Sequence, residues 1–224
     1  MTPAKRDGPL VLWGVGTSRT IRPHWALAEL GLDYETRPIL PRSGETKTPE
    51  FTALTARQKI PLLEDGDLKL TESAAIMAYL SDRYATDATA LVPRTPKDRA
   101  RCLEWCFFIV SELDATSLYV IRRHRDLAKA YGDAPAVCDA AGTYFGQQMR
   151  SVERALGDGR AYLMGDHFTA ADILMSSCLS WAGRYGVPMA TTARDYNARV
   201  TARPAFALAT ARNAPPAPSL GATP

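Results

Sequence analysis

Two segments of this chain have residue types and spacing that could do chemistry: Gln58-Lys59-Ile60-Pro61-Leu62-Leu63 and Thr71-Glu72-Ser73. A proline at the entrance of a strand cannot donate to the ladder, so its place there needs a reason. A cis peptide bond supplies one, since it shapes a tight turn and can turn the preceding backbone toward a ligand. Beyond Pro61, Glu72 and Ser73 open the apolar run Ala74 to Leu80. An acid and a hydroxyl then meet the free amides of a helix N-terminus, which favours anions. A strand-like backbone, an anion-binding turn and a fixed carboxylate together suit a peptide carrying both an amine and a carboxylate.

The elements around these segments alternate. Leu10 to Trp13 is a short apolar run ended by Gly14-Val15-Gly16, a strand and its turn. Ile21, Trp25, Ala28 and Leu32 follow helical spacing, and Gly31 is placed to end that helix. Tyr34 to Leu40 reads as a second strand, parallel to the first through an ordinary crossover. A polar loop leads to a short helix near Phe51 to Leu54, and Ile60 to Leu63, the turn Glu64-Asp65-Gly66-Asp67 and Leu68 to Leu70 make a hairpin. A helix from Ser73 to about Tyr84 closes a βαβ, short helix, ββα order, which is a thioredoxin-like layout. After Leu91-Val92-Pro93 the chain reads as helices, at Thr95 to Asp126, Ala134 to Leu156, Thr169 to Tyr185, Ala193 to Val200 and Pro204 to Arg212. The Pro-, Ala- and Gly-rich tail 213–224 is expected to be disordered.

Composition excludes several classes. With 224 residues, 46% of them hydrophobic, the chain can bury one large core or two small ones. A net charge of +3 with scattered basic residues gives no electrostatic footprint for nucleic acid. No run approaches a membrane span, and Met1 to Asp7 lacks the apolar core of a signal peptide. Cys102, Cys106, Cys138 and Cys178 show no chelating pattern, and they read as reduced thiols of a cytoplasmic protein. His24, His124 and His167 have no metal spacing, so no metal is expected.

The order of these motifs resembles the cytosolic glutathione transferases, over Pro9 to Arg212. Three local matches carry the resemblance: Lys59-Ile60-Pro61-Leu62-Leu63 with Thr71-Glu72-Ser73; Thr17-Ser18-Arg19-Thr20 feeding the helix that ends at Gly31; and Phe168-Thr169-Ala170-Ala171-Asp172-Ile173, similar to the family's N-capping box. It implies an α/β thioredoxin-like N-terminal domain at 9–86 that binds glutathione, and an all-α helical C-terminal domain at 93–212. At matching positions, Ile60 would pair backbone to backbone with the cysteinyl part of glutathione, at the strand entrance made by Pro61. Glu72 would take the γ-glutamyl amine and Ser73 its carboxylate. Lys59, with Lys47 or Arg42, would meet the glycyl carboxylate. The family's Asn-Pro-x-Gly is here Thr55-Ala56-Arg57-Gln58, a departure in the loop before the strand.

The reactive form of glutathione is its thiolate, and a thiol with a pKa of about 8.5 is only a few per cent ionised at pH 7. Lowering that pKa by two units takes about 2.7 kcal/mol, and one hydrogen bond to a charged acceptor supplies about 1.5–3 kcal/mol. A single hydroxyl is therefore sufficient in magnitude. Thr17 and Ser18 follow the first strand; alignment through Gly31 favours Thr17, and a less hindered hydroxyl favours Ser18. Bacterial members with a similar Pro-His pair carry a cysteine where this chain has Arg19. Its absence argues against a mixed disulfide with the protein's own sulfur and leaves Arg19 as electrostatic help. A simpler role for Thr17 or Ser18 is to cap the first helix, and both roles can coexist. Thr169 and Asp172 read as structural. Val15, Trp105, Phe108, Glu112 and Tyr119 are candidates for a second-substrate pocket. The resemblance thus implies a homodimeric enzyme that adds glutathione to an electrophilic small molecule. A non-catalytic interaction module and a glutathione-dependent isomerase, dehalogenase or peroxidase are the alternatives.

Overall fold

The structure, a computed structural model, describes residues 8–217. The chain divides into two compact units, one of residues 1–86 with 204–224 and the other of residues 87–203.

In the first unit a four-stranded mixed sheet has the order β2-β1-β3-β4. Strand β1 (Leu10–Trp13) runs parallel to β2 (Tyr34–Arg37) and antiparallel to β3 (Leu62–Asp65), which pairs with β4 (Leu68–Thr71). The parallel pair follows from the crossover through helix α1 (Ile21–Glu29), and the antiparallel pair from the tight turn at Gly66. Alternation in β1 buries Leu10 and Leu12 on one side. On the other side Trp13 meets Phe51 of α2 (Pro49–Leu54) edge to face, within a cluster of Ile39, Phe51 and Leu62. Helix α3 (Ser73–Tyr84) buries Ile76, Met77, Leu80 and Tyr84 at helical spacing. Tyr79 and Tyr84 of α3 both donate to the Asp65 carboxylate, which ties the helix to the end of β3.

The second unit is helical. Helix α4 (Pro96–Phe108) opens with a Thr95 hydroxyl accepting from the Asp98 amide, and Pro96 occupies the first turn, where no amide donor is needed. It continues through a π-helical stretch (Ile109–Leu118) into α5 (Tyr119–His124). A short helix α6 (Ala128–Tyr131) precedes α7 (Pro135–Leu156). The centre is α8 (Ala170–Tyr185), buried through most of its length, and α9 (Thr191–Thr201) lies beside it. At the start of α8 the Asp172 carboxylate accepts from the Thr169 amide and hydroxyl, the Leu163 amide at 2.8 Å and the Tyr196 hydroxyl at 2.6 Å. Burial raises the pKa of Asp172, and these donors act against that.

Helix α10 (Pro204–Arg212) groups with the first unit rather than with the helices that precede it. Its Phe206 ring lies 4.6 Å from that of Trp25 in α1. Sequence order places this segment with the helical domain; in the structure its contact with α1 groups it with the first unit. Of the tail 213–224, residues 218–224 lie outside the described residues.

Candidate functional site

The bond between Ile60 and Pro61 is cis. Pro61 is buried, and Ile60 lies against the end of β1, where Gly14 has φ +106°. A Cβ at Gly14 would stand 2.6 Å from Ile60 Cβ, so only glycine allows this approach. Lys59, next to Ile60 in sequence, is exposed; Lys47, in a single 3-10 turn (Glu45–Lys47), and Arg42 are exposed as well.

Glu72 behaves differently from a helix cap. It has φ 69° and ψ 112°, a conformation costly for a residue with a Cβ, and its side chain caps no amide of α3. The carboxylate instead accepts from Arg57 Nη1 at 2.7 Å, both side chains being exposed. The backbone still serves the helix, since the Glu72 carbonyl accepts from Ile76 at 2.9 Å. The expectation that an acid sits on the helix amides is thereby corrected: the backbone turns the carboxylate outward. Ser73 is buried, its hydroxyl 3.5 Å from Arg22 Nη1 of α1, also buried.

Thr17 organises the turn before α1. Its hydroxyl oxygen accepts from the amides of Thr20 at 2.9 Å and Arg19 at 3.2 Å, and its carbonyl accepts from Ile21. The Thr17 and Thr20 hydroxyl oxygens lie 3.0 Å apart. Thr17 therefore holds the turn before α1, whose own N-cap residue is Thr20 and has no side-chain cap bond. With both lone pairs of its oxygen held by amides, what it offers any further group is its proton. Ser18 and Arg19, beside it, are half-buried.

Behind this turn lies His24, completely buried in α1. Its Nε2 is 3.1 Å from the Gly14 carbonyl and its Nδ1 is 2.8 Å from the Tyr34 hydroxyl. A carbonyl can only accept, so Nε2 carries the proton and Tyr34 donates to Nδ1. Burial holds the His24 pKa down to about 4 and pushes that of Tyr34 up to about 12. The imidazole is neutral here and braces the loop that carries Gly14.

The second-substrate candidates are placed as follows. Val15 is buried in the first unit. In the second unit Trp105 and Phe108, edge to face on α4, line an open groove of about 1040 Å³ with Arg101 and the loop from Asp158 to Asp166. Glu112 accepts a hydrogen bond from Tyr144 of α7, and the Arg123 guanidinium lies 4.8 Å from the Tyr119 ring.

Three residues near the turn gave no signal in sequence reading. Arg22 is a polar residue buried inside α1 and Thr20 one buried in the turn before it, where pattern predicts nothing. Asn213 lies in the tail expected to be disordered, yet its carbonyl accepts from the Gly16 amide at 2.8 Å. Its side-chain oxygen accepts from Thr20 at 2.7 Å. No run or spacing marks such a residue.

Comparison with known proteins gives this corner a context. Residues 8–82 match the glutathione S-transferase N-terminal domain. The chain is 35% identical to glutathione S-transferase 3 of Zea mays over 168 residues, covering 73% of this chain and 74% of that one. This chain belongs to the glutathione S-transferase family. The fold agrees: a structure of Ure2p in complex with glutathione superposes with a TM-score of 0.82 at 21% identity, over 93% of this chain and 95% of the other. A theta class glutathione S-transferase from Xanthomonas axonopodis pv. citri, with glutathione bound, gives 0.74 at 27% identity over 88% and 94%. Ile60, Glu72, Ser73 and the Thr17 turn all lie within the residues that match the glutathione S-transferase N-terminal domain. Among the described residues no group of His, Cys, Asp and Glu could hold a metal ion, and no helix is long and apolar enough to cross a membrane.

Proposed function

We propose that this protein is a glutathione transferase that binds glutathione in its first unit, stabilises the thiolate and adds it to an electrophilic small molecule. The observation that carries the reading is the meeting of three devices in one unit. The Ile60–Pro61 edge lies against Gly14, Ser73 lies against Arg22 of α1, and α1 begins at the Thr17 turn. Each matches one chemical need of the tripeptide: backbone pairing for the cysteinyl residue, an outward carboxylate and a helix N-terminus for the γ-glutamyl end, and a hydroxyl proton for the sulfur. Lys59, with Lys47 or Arg42, supplies charge for the glycyl carboxylate. Thr17 is the leading donor, with Ser18 the alternative and Arg19 in electrostatic support, as in a bacterial-type member that uses a hydroxyl. Val15, Trp105, Phe108, Glu112 and Tyr119 are proposed to meet the electrophile. The working form is a cytoplasmic homodimer.

The experiment is equilibrium binding of glutathione to the intact chain and to Glu72→Ala, with turnover measured against aryl halides, enones and epoxides. Losing a charged partner for the amine should weaken binding about tenfold, held to that by the exposure of Glu72. Equal affinity in the two proteins would remove Glu72 from the site. One observation favours a second reading, a glutathione-binding module without turnover: the Thr17 oxygen is already occupied by the Arg19 and Thr20 amides of its own turn. Tight binding with no product from any electrophile class would support it.

A further inference from the structure

We propose that Asn213 is a positioning residue for the Thr17 hydroxyl, so that the thiol-activating turn is built from both ends of the chain. The inference rests on the transferase reading above and deepens it. Asn213 follows α10 directly, and its amide donates to the Ala209 carbonyl at 2.8 Å, which continues the helix by one residue. Helix α10 is fixed on the first unit by the Phe206–Trp25 contact and by Arg212, whose guanidinium lies 5.3 Å from the Tyr34 ring.

The orientation of the Asn213 amide is dictated by its neighbours. The Gly16 amide, 3.2 Å away, can only donate, so it faces Oδ1. The Thr17 carbonyl, 3.3 Å from Nδ2, can only accept. A flipped amide would set donor against donor and acceptor against acceptor. With Oδ1 fixed as an acceptor at 2.7 Å, Thr20 donates to it in preference to the Thr17 carbonyl at 3.1 Å. Thr20 Oγ1 then has lone pairs left for the Thr17 amide at 3.0 Å and for the Thr17 hydroxyl at 3.0 Å. The direction of the Thr17–Thr20 bond is settled: Thr17 donates. At rest that proton rests on Thr20, and a thiolate beside the turn, carrying full charge, is the stronger acceptor.

Without the Asn213 side chain the Thr20 proton turns to the Thr17 carbonyl, 3.1 Å away, that carbonyl loses the Nδ2 donor, and Gly16 keeps only its bond to the backbone of residue 213, so the turn that aims the Thr17 hydroxyl is loosened. The test is the pKa of the thiol of bound glutathione, read by thiolate absorbance at saturating glutathione in the intact chain, Asn213→Ala and Asn213→Asp. Folding is checked by thermal denaturation. Asn213→Ala should raise the thiol pKa by about one unit, the worth of one orienting hydrogen bond. Asn213→Asp, nearly isosteric, should raise it further, because an oxygen replaces the amide facing the Thr17 carbonyl and adds charge near the sulfur. It also keeps the test open if the alanine variant does not fold. An unshifted pKa in a folded variant, alongside a depressed pKa in the intact chain, would overturn the role of Asn213 alone. An ordinary thiol pKa in the intact chain would overturn the transferase reading and this inference with it.

Discussion

A buried imidazole between a carbonyl and a phenol is a pH-sensitive brace, and His24 is one. Its pKa is held down to about 4 by burial, against 6.5 for an unperturbed histidine. Between those values the unfolded chain binds a proton that the folded chain refuses, so stability is lost as pH falls through this window. Between pH 7 and 4.5 this one residue should remove about 2–3 kcal/mol of stability. Replacing His24 by Gln, which can still donate to Gly14 and accept from Tyr34, should remove that share of acid sensitivity. Urea denaturation at the two pH values checks it, and identical pH dependence in both proteins would contradict the neutral, buried imidazole. Residue-scale features like this were only partly legible. Pro61 and Glu72-Ser73 could be found because each is a local oddity of type and spacing. The Arg57–Glu72 pair, the buried Arg22 and the Asn213 clamp join residues distant in sequence, and no local pattern encodes such a partner.

Elements were more legible, because period and punctuation act locally. Strand β1 and helices α3 and α10 run where alternation, helical spacing and flanking Pro or Gly place them. The π-helical stretch Ile109–Leu118 was not, since a widened turn keeps an apolar pattern close to that of the α-helix around it. The start of α8 was, through Thr169 and Asp172 at capping-box spacing. In the structure Asp172 does more than cap: it also accepts from the Leu163 amide and the Tyr196 hydroxyl, all in the interior. Asp172→Ala would strand several buried donors together, so the loss should reach at least about 3 kcal/mol. Chemical denaturation of the variant measures it, and a loss below about 1 kcal/mol would mean that the loop before α8 reorganises to satisfy those groups.

At the scale of the molecule, the first unit is discontinuous in sequence, closed by a helix that follows the entire second unit. A composition shift can mark where one run of elements gives way to another, but it cannot show that a late helix returns to an early sheet. That return is made by Phe206, Arg212 and Asn213, which no periodicity distinguishes from other surface residues of a terminal helix. It also brings the turn at Asn213 onto the loop that carries Thr17, so the proposed chemistry depends on the completeness of the unit. The central claim is that this turn stabilises a thiolate, and the most direct measurement is titration of glutathione bound to the intact chain, to Thr17→Ala and to Ser18→Ala. The thiol pKa should be depressed by about two units in the intact chain, restored toward its ordinary value in Thr17→Ala and little changed in Ser18→Ala. A depressed pKa that survives in Thr17→Ala would contradict that claim.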